Sequence, residues 1–190
     1  MNIRPVFFIT ILLFAFSVQA DNAKQFETQA NAAIKEFAET LKSALMLSMQ
    51  TDGSVKTIAV CKDIAPKVAQ QVSTKYNLDV SRTALKIRNP ENQPDEWEKT
   101  VLRSFEKRLE KGEIIKKLSF SEQVETDGVK QWRMMKAIGT DLVCVTCHGE
   151  KIPEPIQAKL KKHYPDDQAT GFSVGSVRGA FSVKQNLTDN

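Results

Sequence analysis

The chain has 190 residues, 41% of them hydrophobic, with 27 Lys and Arg against 23 Asp and Glu for a formal net charge of +4. That length suits one domain with a real core rather than several. So balanced a charge argues against nucleic acid as a partner. Three cysteines and two histidines, with no second Cys-x-x-Cys or His-x-His pair, argue against a structural zinc site.

Residues 1–20 read as a secretory leader. Asn2-Ile3-Arg4 is a short basic start, residues 6–16 are apolar except Thr10, and Val18-Gln19-Ala20 suits cleavage before Asp21. The apolar run is shorter than the roughly 20 residues a bilayer span requires. The expectation is an exported, periplasmic chain beginning at Asp21, with no membrane span in its mature form.

Residues 22–50 have the period of one long amphipathic helix, with Phe26, Ala30, Ala33, Phe37, Leu41, Ala44 and Leu45 at three- and four-residue steps. Such a helix packs on its own domain or serves as the seam of a homodimer. Asp52-Gly53-Ser54 breaks the chain and can cap a second helix, whose stripe of Ile58, Cys61, Ala65, Val68 and Val72 turns Cys61 inward. Pro66 lies inside that pattern and predicts a kink or restart just after Cys61.

Residues 78–87 alternate as a strand, and residues 88–92 form a loop. Pro94 suits the first position of a third helix with Trp97, Val101, Phe105 and Leu109 on its apolar face, stopped at Gly112. Residues 114–121 and 129–140 around Asp127-Gly128 carry a hairpin signature, with Trp132, Met134 and Ile138 on one face and Arg133 and Met135 on the other. A short helix is predicted over 155–163, a turn at Tyr164-Pro165-Asp166-Asp167, and a last strand over 176–183. In that strand Gly175 and Gly179 indicate a bend or a close backbone approach. Helices segregated from an antiparallel sheet make an α+β domain.

Between the hairpin and the last helix stands Cys144-Val145-Thr146-Cys147-His148. Two thiols one helical turn apart can each reach one vinyl group of a haem, and an imidazole directly after them can bind the iron: this is the attachment site of one covalently held haem c. A thioredoxin-like pair would sit early in its fold, before most of a βαβ pattern, whereas only a short, turn-rich segment follows His148. A structural disulfide gives no reason for the adjacent histidine. The Lys159-Leu160-Lys161-Lys162 cluster is a solvated helix face or a docking patch for an acidic partner.

With Cys144 and Cys147 taken by haem, Cys61 is a surplus thiol. The residues alone leave the second side of the iron open. Met134 or Met135 would make an electron carrier and His163 a bis-histidine haem. An open site would make a gas binder or a peroxidase-like enzyme, and Cys61 a thiolate-ligated haem or merely a buried small hydrophobe.

Several stretches resemble a family. They are Cys61-Lys62-Asp63-Ile64-Ala65-Pro66, Ser81-Arg82-Thr83-Ala84-Leu85-Lys86-Ile87-Arg88-Asn89-Pro90-Glu91-Asn92, Trp97-Glu98, the segment from Cys144 to Gly149, Tyr164-Pro165-Asp166-Asp167-Gln168-Ala169 and Gly175-Ser176-Val177-Arg178-Gly179-Ala180. In that order they are similar to the exported mono-haem c-type domains formerly described only as a domain of unknown function, found alone or as the sensing part of bacterial signalling proteins. The resemblance covers roughly residues 55–185. It implies a PAS-like fold with a central antiparallel sheet, and Cys61 as the second axial ligand beside His148.

On this reading residues 1–20 are the leader, 21–50 the N-terminal helix and 51–190 the PAS-like haem c domain, here a stand-alone member without a kinase or methyl-accepting segment. Arg82, Arg88 and Arg178 are the candidates for the haem propionates; otherwise each is exposed or paired with Glu91, Asp95 or Asp166. The function expected is redox or gas sensing, or low-potential electron transfer, with a protein partner and a diatomic gas as candidate ligand. The alternative is a small peroxidase-like enzyme.

Overall fold

The computed structural model describes residues 10–126 and 128–187, with side chains at 10–20 and at Thr126 left aside. The first half of the expected leader, residues 1–9, lies outside them. Helix α1 (Thr10–Thr51) extends the predicted helix upstream into residues 10–20. Of its apolar stripe Phe26, Ala30, Ala33 and Phe37 are nearly inaccessible, as is Ile34, while Leu41, Ala44 and Leu45 are half-buried. Among the described residues no helix is long and apolar enough to cross a membrane.

The second predicted helix is two. Helix α2 (Ser54–Asp63) ends, Ile64 forms the junction, and α3 (Ala65–Tyr76) restarts with Pro66 in its first turn. The break falls three residues after Cys61, where the proline's missing N–H costs nothing because the first donors of a helix have no partner in the helix itself. Neither Asp52 nor Ser54 caps α2. Gly53 takes that position at φ +78°, and the Thr57 hydroxyl donates to its carbonyl.

Strand β1 (Asp79–Thr83) is shorter than the alternation suggested, because residues 84–92 turn away and include a 3-10 turn at Pro90–Asn92. Helix α4 (Glu96–Glu110) starts after Pro94, at Asp95. The Asp95 carboxylate accepts from the Glu98 N–H at 2.8 Å while the Glu98 carboxylate accepts from the Asp95 N–H at 3.0 Å, a reciprocal capping box. The hairpin is present as β2 (Ser119–Thr126) and β3 (Val129–Gly139), preceded by a 3-10 turn at Ile115–Lys117 where strand was expected. Asp127 of its turn lies outside the described residues, and Gly128 has the φ of +78° such a turn demands. Helices α5 (Val145–His148) and α6 (Glu154–His163) follow, and β4 (Val177–Asn186) closes the chain.

The four strands form one antiparallel sheet in the order β1-β4-β3-β2. Helices α1 and α3 cover one face, where Met134, Phe181, Val183 and Val80 meet Phe26, Phe37, Val68 and Val72. Helix α4 covers the other, where Val101, Leu102 and Phe105 meet Leu118, Met135 and Ala180. The alternation read in β3 is therefore correct: Trp132, Met134 and Ile138 face α1, while Met135 and Arg133 face α4. A third cluster of Ile58, Ile156, Leu160 and Tyr164 docks α6 on α2, with Cys147 packed against it. At Gly179 a Cβ would lie 2.5 Å from the Thr83 carbonyl oxygen, which is the close approach the glycine signalled. The whole is a PAS-like α+β domain with a long N-terminal helix.

Candidate functional site

A cavity of about 590 Å³ opens between α1, α2, the start of α3, the end of the sheet and the loops around residues 87–92 and 141–148. That lies within the roughly 300–1,000 Å³ of ordinary cofactor sites. Phe37, Leu41, Ile58, Ile138 and Phe181 give it apolar walls, and Cys61, Cys144, Cys147, His148, Arg82, Arg88 and Arg178 all line it. The structure thus brings together every site residue picked from the sequence. Met134 and Met135 are core residues on opposite faces of the sheet, and neither they nor His163 are among the cavity lining. Met49 of α1 lines it and was missed, since one methionine among the exposed residues of a long helix carries no signal in the sequence.

The local chain sets His148 firmly. Asp141 accepts from the Cys144 N–H at 2.9 Å, and α5 is one short turn in which Cys144 accepts from His148 N–H at 2.9 Å. Gly149 follows, where a Cβ would meet the Val145 carbonyl at 2.5 Å, so the turn closes on itself only with glycine. The segment after Tyr164 then lies back on the motif: Gly171 N–H donates to Gly149 and Phe172 N–H to His148 carbonyl. The His148 Nδ1 faces the Ala169 carbonyl at 2.7 Å. The Arg178 Nε–H also approaches Nδ1, at 3.3 Å, but a carbonyl can only accept, so the shorter contact puts the proton on Nδ1 and leaves Nε2 its lone pair. Burial, then repulsion from Arg178 and Arg88, pushes the His148 pKa down to about 2. The ring is neutral at physiological pH, the form that binds a metal.

The three thiols are free. Burial pushes the Cys61 thiol's pKa up, against the pull of Arg82, Arg88 and Arg178. Burial likewise raises that of Cys147. Tyr164, pushed up to about 12 by burial and then by Cys61, stands by as a neutral phenol.

The arginines divide into two kinds. Arg88 is 9% exposed and pairs with Asp167 at 2.9 Å, not with Glu91, Asp95 or Asp166. Arg82 stacks over the Phe37 ring at 5.5 Å and Arg178 over Phe172 at 5.1 Å, and among the described residues neither forms an ion pair. Burial and then repulsion from Arg88 and Arg82 bring Arg178 down to about 10. Burial lowers Arg82 as well. Both are half-buried, and two cations without counter-ions on one wall suit a ligand with carboxylates. Two thiols on one turn, a neutral imidazole, a third thiol on another helix and two guanidiniums without ion-pair partners among the described residues suit a metal-bearing group with carboxylates.

Away from the cavity, the α4 side of the sheet holds a buried charge cluster that sequence reading did not find. Arg133 pairs with Asp95 at 2.7 Å and Glu98 at 3.3 Å and lies 4.2 Å from the Trp97 ring centre, and the buried Ser182 hydroxyl donates to Glu98 at 2.7 Å. Glu98 entered the sequence reading only as part of a resemblance, and Trp97 also as an apolar residue of the third helix.

Comparison with known proteins bears on all of this. The model of a family described as Tll0287-like matches residues 15–186. No curated protein matches the chain. Among solved structures, that of the cyanobacterial haem protein Tll0287 is similar at a TM-score of 0.66 and 22% identity, covering 87% of this chain and 98% of the other. At that identity the likeness establishes the fold.

Proposed function

We propose, from the premise that the chain belongs to the Tll0287-like family, that it is a mono-haem c-type protein with His148 and Cys61 as axial ligands, acting in redox or gas sensing or in low-potential electron transfer. A bound haem would supply one-electron chemistry and a coordination position that a diatomic ligand can contest. The Cys144 and Cys147 thiols would add across its two vinyl groups as thioethers. His148 would bind through Nε2, its tautomer fixed by the Nδ1–H donated to Ala169. Arg82 and Arg178 would neutralise the two propionates, one each, and the Phe37, Ile138 and Phe181 walls would keep water out.

Cys61 decides the kind of protein. A thiolate donates electron density and favours the oxidised metal, so it lowers the potential. Three guanidiniums near Cys61 favour the thiolate, while burial favours the thiol. Cys61 would hold the metal as a thiolate and would not hold it as a protonated thiol, so that balance would govern the second coordination position. The leader at residues 1–20, cut after Ala20, would deliver the chain to the periplasm, where it meets a redox or signalling protein as a monomer or a homodimer seamed by α1.

The observation that carries this reading is the convergence of Cys61 with the Cys144–His148 motif on one cavity. The test is the ferric visible and electron paramagnetic resonance spectrum of wild type against Cys61→Ala. Low-spin thiolate features present in the first and missing in the second are expected. Identical spectra would exclude Cys61 as a ligand.

A further inference from the structure

We infer, resting on the haem reading above, that Arg88 is a positioning residue for His148 and no partner of a propionate. Three of its five donors are committed inside the protein. Nε donates to Asp167 Oδ2 at 3.0 Å, and Nη2 donates to the Cys147 carbonyl at 2.6 Å and the Ala169 carbonyl at 3.2 Å. Nη1 stands 3.4 Å from His148 Nε2 and would yield that contact to a metal bound there. Asp167 completes a ring, because its Oδ1 accepts from the Ala169 N–H at 2.8 Å. The Ala169 peptide is thereby gripped at both ends, its N–H by Asp167 and its carbonyl by Arg88, and that carbonyl receives the His148 Nδ1–H. Arg88 also holds the Cys147 carbonyl next to His148. One side chain from the loop after β1 thus fixes both the residue before the ligand and the acceptor behind it.

Charge supports the division of labour. Asp167 neutralises Arg88 at 2.9 Å with both groups about nine-tenths buried, which leaves the two unpaired guanidiniums, Arg82 and Arg178, for two carboxylates. Geometry supports it too. Bridging a carboxylate and two carbonyls needs a planar fork of fixed N–H directions, and a lysine ammonium of equal charge cannot make that pattern. Second-sphere partners of a metal-binding histidine set its ring orientation and its donor strength. Loosening the Ala169 carbonyl therefore weakens the imidazole as a donor and disfavours the oxidised metal.

The test uses the haem-loaded protein with Arg88→Lys and Asp167→Asn, and Arg82→Lys as the control on a propionate contact. Covalent attachment is expected in all, since Cys144 and Cys147 are untouched. Arg88→Lys and Asp167→Asn are expected to shift the ferric:ferrous ratio at fixed poise toward ferrous about tenfold, a midpoint rise of about 59 mV for one electron, and to broaden the low-spin resonance. Midpoints and resonance signals unchanged in both variants, with only melting temperature lowered, would reduce Arg88 to a structural ion pair and overturn the inference. In reduced wild-type protein the His148 Nδ1 proton is expected to exchange slowly with solvent. Rapid exchange would overturn the inference whether or not the variants fold. Wild type without haem would defeat the haem reading itself, an outcome distinct from loaded wild type with unmoved variants.

Discussion

Replacing Glu98 by alanine is expected to be among the most destabilising changes outside the cavity. The Glu98 side chain is 6% exposed and so is that of Arg133, which it meets at 3.3 Å. Its carboxylate also accepts from the Ser182 hydroxyl at 2.7 Å and the Asp95 N–H at 3.0 Å. Alanine leaves the buried guanidinium with Asp95 alone and strips two buried or half-buried donors of their acceptor. Breaking a buried ion pair by removing one partner costs about 3–5 kcal/mol. The retained Asp95 contact lowers that and the lost helix cap, worth about 1 kcal/mol, raises it, so a loss of about 3–5 kcal/mol stands. For a domain of this size it converts to a fall in Tm of about 6–20 °C. Glu98→Gln keeps acceptors for Ser182 and Asp95 and should lose less than alanine does. Urea unfolding of the three proteins at neutral pH gives the numbers, and a double-mutant cycle with Arg133→Met isolates the pair, since an apolar residue at 133 should recover part of the loss. A cost below about 1 kcal/mol for Glu98→Ala, or full additivity in the cycle, would refute the buried-pair reasoning.

Acid should act on the same cluster. Burial raises the Asp95 pKa, but the Glu98 N–H, Arg133 and Lys184 together outweigh it and leave the group below its usual value. A lowered folded-state pKa gives stability that is present above the unfolded value of about 3.9 and lost as the pH falls through the folded value; Asp95→Asn should flatten that acid limb in a pH series of urea midpoints, and an unchanged limb would contradict it. Cys61→Ala should raise the midpoint potential by at least about 60 mV, a tenfold change for one electron, in a spectroelectrochemical titration; a fall would exclude an anionic ligand. Gly179→Ala should cost about 1–3 kcal/mol, the usual range of overpacking, because its Cβ would press on the Thr83 carbonyl and on Ala84; a neutral effect on the urea midpoint would contradict the close approach of β4 to β1. N-terminal sequencing of exported protein should begin at Asp21, and a retained Met1 would contradict the cleavable leader.

Periodicity carried the fold far, because burial leaves its mark wherever one face of an element is covered. The stripe Phe26 to Phe37 and the alternation through Trp132, Arg133, Met134 and Met135 are of this kind. Strand β1 was overread, since residues 84–87 alternate in hydropathy for another reason: they line the cavity with Ala84 and Ile87 and leave the sheet. The haem motif was legible because its chemistry needs contiguous residues. The framework behind it was not. Arg88 stands 79 positions from Asp167 and 81 from Ala169 in the chain, and a carbonyl that holds a histidine has no residue type of its own. For the same reason the alternation places Arg133 on the face it shares with Met135 but does not reveal its partners Asp95 and Glu98.

The central claim, that the chain carries one haem through Cys144 and Cys147, is tested most directly by the mass of the exported protein made in a host able to attach haem c, recorded after denaturation. The chain from Asp21 to Asn190 plus one haem is expected, and Cys144→Ser with Cys147→Ser should return the bare chain. A wild-type mass equal to the polypeptide alone would contradict the account.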